Sequence, residues 1–387
     1  MKKITSDTSI EKNFFTTKSE KSERFEFVSW LRGVACIIIL YAHYIGVYML
    51  SGFRGSFPQL LERKQPPPQA LTAILLAAEN SNINFGAFGV AIFFLITGFV
   101  TAASLHRDNH WNFLLNRVIR IWPVYIVGTA LLYLTSSLYT GWAGTAMPGS
   151  IKDFAIQASL LRDWLWKPSV DGIGWTLEVQ VKMYFTLFLL SRCEILNKWK
   201  SIIVLSGLGT IYVISMQPFL PQLISFNFRL YTAVYTICFS IVFIIFSFVG
   251  VIFYQMSQRH CSVQEGMVTG LACMIAFYFT AKSMVPTWIT SYFAAITLFT
   301  MAYIVREMLH IGRVMKFIST ISFSVYIVHG LNGYYLLNYL ETIGINPYLA
   351  LAITTCVSFF LAYVLYCVVE RPCANFSKLI KKWCAEK

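Results

Sequence analysis

The sequence predicts an all-α polytopic membrane protein of about ten transmembrane helices, with both termini in the cytoplasm. Three observations carry that prediction. Of the 387 residues, 57% are hydrophobic and only 13% are charged, a balance foreign to soluble globular domains. Apolar runs long enough to cross a hydrocarbon core of about 30 Å recur along the whole chain. Lysine and arginine are also shared unequally between alternate connections, as insertion into a membrane requires.

The apolar runs place helices near 28–51, 84–104, 121–140, 175–191, 201–217, 230–255, 266–282, 286–305, 320–339 and 347–369. The run at 230–255 is longer than one crossing needs, so it is tilted, kinked or broken near Gly250. Residues 1–26 form a polar, basic tail without the apolar stretch of a cleavable signal, and the first helix is expected to stay as an anchor. Residues 27–372 then form one transmembrane domain, and 373–387 a second short tail. Connections on the side of the termini hold 21 Lys and Arg against 8 on the other, which places both termini in the cytoplasm. The net charge of +13 therefore reflects topology and contact with anionic lipid, and nothing in it asks for nucleic acid. None of the nine cysteines falls in an external connection, and no spacing among them suits a metal, so no metal site is expected.

Within the first run, Arg32 and His43 are eleven residues apart. On a helix that is about 20° around the axis and about 16 Å along it, so both side chains share a face half a membrane apart. A histidine at mid-bilayer is costly unless it meets a partner or a watery cavity, which makes His43 either a functional group or a buried link between helices. The external connection after it carries Gln65-Pro66-Pro67-Pro68, a stiff extended or turn segment. Gly86, Gly89 and Gly98 in the second helix allow another backbone to approach closely. Arg117 and Arg120, three residues apart and just before Pro123, are neighbours on one helical face. They read as membrane-surface anchors or as a clamp for phosphates, which the guanidinium fork matches.

The connection 141–174 spaces Ile151, Phe154, Ala155, Ala158, Leu161 and Leu165 as an amphipathic helix on the outer leaflet. The helix that follows opens at Trp175 and holds Glu178 and Lys182 at i, i+4, an expected ion pair. Ser322, Tyr326 and His329 form one polar stripe on an otherwise apolar helix, either as interhelical hydrogen bonds or as part of a site. Glu370-Arg371-Pro372 closes the last helix, with the proline expected to end it.

Six segments arrive in a telling order. They are Leu31-Arg32-Gly33 with His43, Gly89 to Phe94 with Gly98-Phe99, Arg117-x-x-Arg120-Ile-x-Pro123, Trp175-Thr-Leu with Tyr184, Ser322-x-Ser324-x-Tyr326 with His329, and Glu370-Arg371-Pro372. In this order they resemble the membrane-bound acyltransferase 3 family, from about residue 27 to about residue 378. The resemblance implies an inner (plasma) membrane enzyme that moves an acyl group, usually acetyl, from cytoplasmic acyl-CoA to a hydroxyl of a cell-surface polysaccharide or lipopolysaccharide sugar. It implies Arg32 and His43 as catalytic residues and Arg117, Arg120 and Arg32 on the acyl-CoA side. Ser322, Tyr326, His329, Trp175 and Glu178 are implied around the substrates. Acyl-CoA enters as a substrate, with no permanently bound cofactor; the partners are that donor, a glycan acceptor and the bilayer.

His43 then acts as a general base toward the acceptor hydroxyl, or carries the acyl group covalently. Two positions depart from the family pattern: Ser29 stands where relatives have an acid, and Gln180 where they have glutamate. Glu178 lies about 200° around the helix from position 180, so it does not take over that role without rotation or unwinding. The competing classes are a glycan transporter, with His43 as a proton relay, and an inactive scaffold of a glycan-assembly complex.

Overall fold

A backbone in hydrocarbon must satisfy its own polar groups, so the apolar runs become helices, and in the computed structural model no strand forms among the described residues. Those residues are 26–50, 59–63, 65–107, 110–165, 167–196 and 198–385. The N-terminal tail up to residue 25 lies outside them. The long elements are α1 (Glu26–Leu50), α3 (Phe85–Arg107), α4 (His110–Ala143), α6 (Trp175–Arg192), α7 (Trp199–Phe226), α8 (Phe228–Ser257), α9 (Val263–Met284), α10 (Pro286–Ile304), α11 (Arg313–Thr342) and α12 (Pro347–Leu365). Two short helices, α2 (Gln69–Asn80) and α5 (Ile151–Ala158), fill connections, and α13 (Arg371–Ala385) continues α12. Among the described residues, nine of the long elements are apolar enough to cross a membrane. The tenth, α6, carries Glu178, Lys182 and Arg192 in its 18 residues.

At the centre, α3 packs against α1, α8 and α10, and α1 lies between α3 and α11. Glycine makes the α3–α8 crossing possible: a Cβ on Gly98 would collide with the Ser247 carbonyl, and one on Gly250 with the Leu95 carbonyl. Gly250 is therefore a packing residue inside one unbroken 30-residue helix, not a break in it. The first and last described segments lie at the same end of the bundle. There Glu26 lies 3.9 Å from His310, and Ser377 on α13 hydrogen-bonds Asn116 at the start of α4.

Several boundaries differ from the sequence reading. The segment after Pro66-Pro67-Pro68 is a helix, α2, because the Pro68 carbonyl accepts the Leu71 and Thr72 amides and starts it. Helix α4 begins eleven residues before the expected 121 and runs through Pro123, with Arg117 and Arg120 inside its first turns. The outer-leaflet helix contracts to α5, which a Ser150/Asp153 capping box starts and a left-handed Leu160 (φ 56°) stops. It turns Phe154 and Gln157 inward, leaving Ile151 exposed. Pro372 does not end the last helix. A π-helical turn at Tyr366–Glu370 shifts the hydrogen-bond register ahead of the proline, and the chain continues helically as α13.

Candidate active site

A cavity of about 1000 Å³, counting its open mouth, enters the bundle at the end that holds the first and last described segments. Its mouth holds Arg32 from α1, Arg117 and Arg120 from α4, and Glu370 from the π-turn after α12. Arg117 donates to Ser104 Oγ at 3.1 Å, and its guanidinium stacks on Phe113 and Tyr184, 5.0 and 4.8 Å from the ring centres. Glu370 is buried and accepts the Ser324 hydroxyl at 2.7 Å; among the described residues it is the one carboxylate on a wall with three guanidiniums. Deeper in, Gln180 Nε2 donates to Thr97 Oγ1 (3.0 Å) and Tyr184 Oη (2.7 Å). The inner end is Phe93, Thr176 and Tyr326, where the Tyr326 hydroxyl lies 2.5 Å from Thr176 Oγ1 and donates to the Ile173 carbonyl at 2.9 Å.

Beyond that floor lies a pair of histidines. The rings of His43 and His329 stand edge-to-face, 4.8 Å between centres, and His329 in turn neighbours Tyr326 at 5.4 Å. His43 Nδ1 is 2.5 Å from the Tyr334 hydroxyl. His329 is fully buried, with Nδ1 2.7 Å from the Tyr326 carbonyl and 3.2 Å from that of Val325. Carbonyls only accept, so Nδ1 carries the proton and Nε2 the lone pair. That Nε2 is buried and has no hydrogen-bond partner.

Both histidines sit where helical geometry fails. His43 is in the π-helical stretch Ala42–Leu50 that ends α1, and His329 immediately precedes Gly330, whose ψ of −119° breaks α11. Such interruptions leave backbone groups and side chains aimed where a regular helix would not put them. Neighbours fix both breaks. Gly333 lets α11 approach the Tyr44 ring of α1, and Gly330 packs against Ile173 and the Asp171 carbonyl. The Asp171 carboxylate holds that turn by accepting the Gly174, Ile173 and Ser169 donors on Oδ1 and the Tyr125 hydroxyl on Oδ2.

Of the residues singled out in the sequence, Arg32, Arg117, Arg120, Ser322 and Tyr326 line the cavity, while His43 and His329 lie past its floor. Trp175 and Glu178 face the other way. They line a second cavity, with Trp175 in an aromatic cluster with Phe239, Phe243 and Trp288. The expected Glu178–Lys182 side-chain pair does not form. Glu178 instead takes a two-pronged bond from Arg162, at 2.8 and 2.5 Å, while Lys182 pairs with Asp163 and the Glu178 backbone carbonyl. The fork explains the switch, because a guanidinium matches both carboxylate oxygens and an ammonium does not. The angular argument held: Gln180 faces the first cavity and Glu178 the second. Reading the sequence did not find Tyr334, five residues beyond His329, nor the bond from Ser324 to Glu370, whose partners are 46 residues apart.

Comparison with known proteins identifies the family. The acyltransferase 3 family model, described as an acyltransferase domain, matches residues 25–367. The chain is also similar to Nodulation protein 10 of Rhizobium leguminosarum bv. viciae, 30% identical over 146 residues. That match spans 33% of this chain and 39% of the relative's length. No solved structure matches. Matched across its helical core by the family model, the chain belongs to the acyltransferase 3 family.

Proposed function

We propose that this protein is an integral-membrane O-acyltransferase of the inner (plasma) membrane that moves an acetyl group from cytoplasmic acetyl-CoA to a hydroxyl of a cell-surface polysaccharide or lipopolysaccharide sugar. One observation carries the reading: a cavity whose mouth holds three guanidiniums and one carboxylate leads toward an intramembrane histidine pair. Guanidiniums suit the phosphates of CoA, and the mouth lies at the end that the excess of Lys and Arg assigns to the cytoplasm. The thioester then points inward, toward Tyr326 and the histidines.

The chemistry follows from His43. In the tautomer whose Nδ1–H donates to the Tyr334 oxygen, Nε2 keeps a lone pair and takes the proton of the acceptor hydroxyl as its oxygen attacks the thioester carbonyl. The tetrahedral intermediate collapses, the C–S bond breaks, and the CoA thiolate leaves with the proton returned by the imidazolium. Imidazole is the side chain that takes and returns a proton near neutral pH.

Cells carrying the wild type or His43→Ala at matched membrane levels test this, scored by alkali-labile O-acetyl esters on surface polysaccharide. The expected result is ester with the wild type and a loss of about 10²–10⁴-fold in transfer rate for the variant. Equal ester in both would remove His43 from the mechanism. Ester in neither would favour transport of an unmodified glycan.

A further inference from the structure

The buried Nε2 of His329 is a polar atom left without a partner in a region where such atoms are costly. Its character is fixed by its surroundings. The Nδ1–H is committed to the carbonyls of Tyr326 and Val325, just ahead of the helix break at Gly330, so Nε2 is an acceptor awaiting a donor. The His43 ring stands 4.8 Å from the His329 ring, centre to centre, already engaged at Nδ1 by Tyr334. Two imidazole acceptors thus lie side by side, one for the proton that leaves during acyl transfer and one for a hydrogen bond that stays.

Building on the acyltransferase reading above, we propose that His329 Nε2 accepts a hydrogen bond from the acceptor substrate, from an O–H or N–H on the carbon next to the hydroxyl that His43 deprotonates. A single hydroxyl has one proton and cannot serve both rings. The acceptor that fits is a carbohydrate bearing neighbouring donors, either a vicinal diol or a hydroxyl beside an acylamino group. Without the second donor the Nε2 lone pair stays unsatisfied, which costs binding to any acceptor that lacks it.

Two substitutions separate this role from a structural one. In His329→Asn the amide N–H lies near the position of Nδ1 and keeps the bond to the carbonyls, but nothing accepts at the position of Nε2. In His329→Gln the amide oxygen reaches the position of Nε2 and the Nδ1 bond is lost. The experiment expresses wild type, His43→Ala, His329→Asn and His329→Gln at matched membrane levels, measures envelope O-acetyl ester over time, and maps the ester by NMR. The expected result is a drop of about tenfold for His329→Asn, a smaller one for His329→Gln, and an ester beside a carbon with a free hydroxyl or amide N–H. A healthy His329→Asn with a failing His329→Gln, equal losses in the two, wild-type rates in both, or an ester with no neighbouring donor would each overturn the proposal. Wild type without ester would instead overturn the acyltransferase reading on which it rests.

Discussion

The two ends of the bundle treat buried charge in opposite ways. At the end away from the first and last described segments, Glu178 is gripped by Arg162 at 2.8 and 2.5 Å, and Glu341 by Arg63 at 2.8 and 3.0 Å. The Tyr48 hydroxyl adds a third donor to Glu341 at 3.2 Å, and Arg63 also caps the Met49 carbonyl that closes the π-helical stretch. All four oxygens of these two carboxylates are committed to holding one segment against another. At the cavity mouth the ratio is reversed: among the described residues, Arg32, Arg117 and Arg120 share the wall with Glu370 alone, and Glu370 takes its hydrogen bond from a serine. Matched charges hold this fold together, whereas an excess of one sign around a cavity suits an incoming anion.

The largest effect that would break this contrast is expected from Glu178→Ala. It strands the Arg162 guanidinium beside a buried site, a change that costs roughly 3–5 kcal/mol, while the paired Arg162→Met/Glu178→Leu variant recovers most of it. Thermal unfolding of the purified protein in detergent reads both, and an unchanged midpoint for Glu178→Ala would show that the pair holds nothing. Next comes Arg32→Ala, which removes one guanidinium from the surplus. Its expected signature is a KM for acetyl-CoA raised about tenfold or more, at the unfolding midpoint of the wild type, in initial-rate assays with labelled donor. A lower midpoint with normal KM would make the mouth structural like the far end. The smallest effect is assigned to Glu307→Ala, which breaks an exposed 3.5 Å contact with Arg306. A change within about 0.5 kcal/mol and normal kinetics are expected, since screened surface pairs contribute little. A large loss there would mean that burial is not what separates the two ends.

What could be read from the sequence was whatever a single helix carries. The apolar runs located the ten long helices, and angular spacing put Gln180 and Glu178 on different faces, as their two cavities bear out. Arg32 and His43 were legible as a pair because both belong to α1. Contacts made across the bundle were not legible. Arg162 reaches Glu178 only because α5 stops early at Leu160, and Tyr334 reaches His43 only because Gly333 thins α11 beside Tyr44. The breaks themselves were hidden for a related reason. A π-turn or a bend at glycine is stabilised by what packs on it, so residues such as Ala42 to Leu50 look like ordinary apolar helix until their neighbours are in place.

The glycine crossing of α3 and α8 has a consequence for where the bundle can adjust. Where Gly98 and Gly250 meet, main chain rests on main chain, so no rotamer change can widen or narrow the gap. That joint acts as a fixed post. The irregular turns lie elsewhere, in the distal part of α1 that carries His43 and at Gly330 just after His329 in α11. The same two places that aim the histidines are thus where helical geometry is interrupted, beside a crossing that side-chain motion cannot adjust.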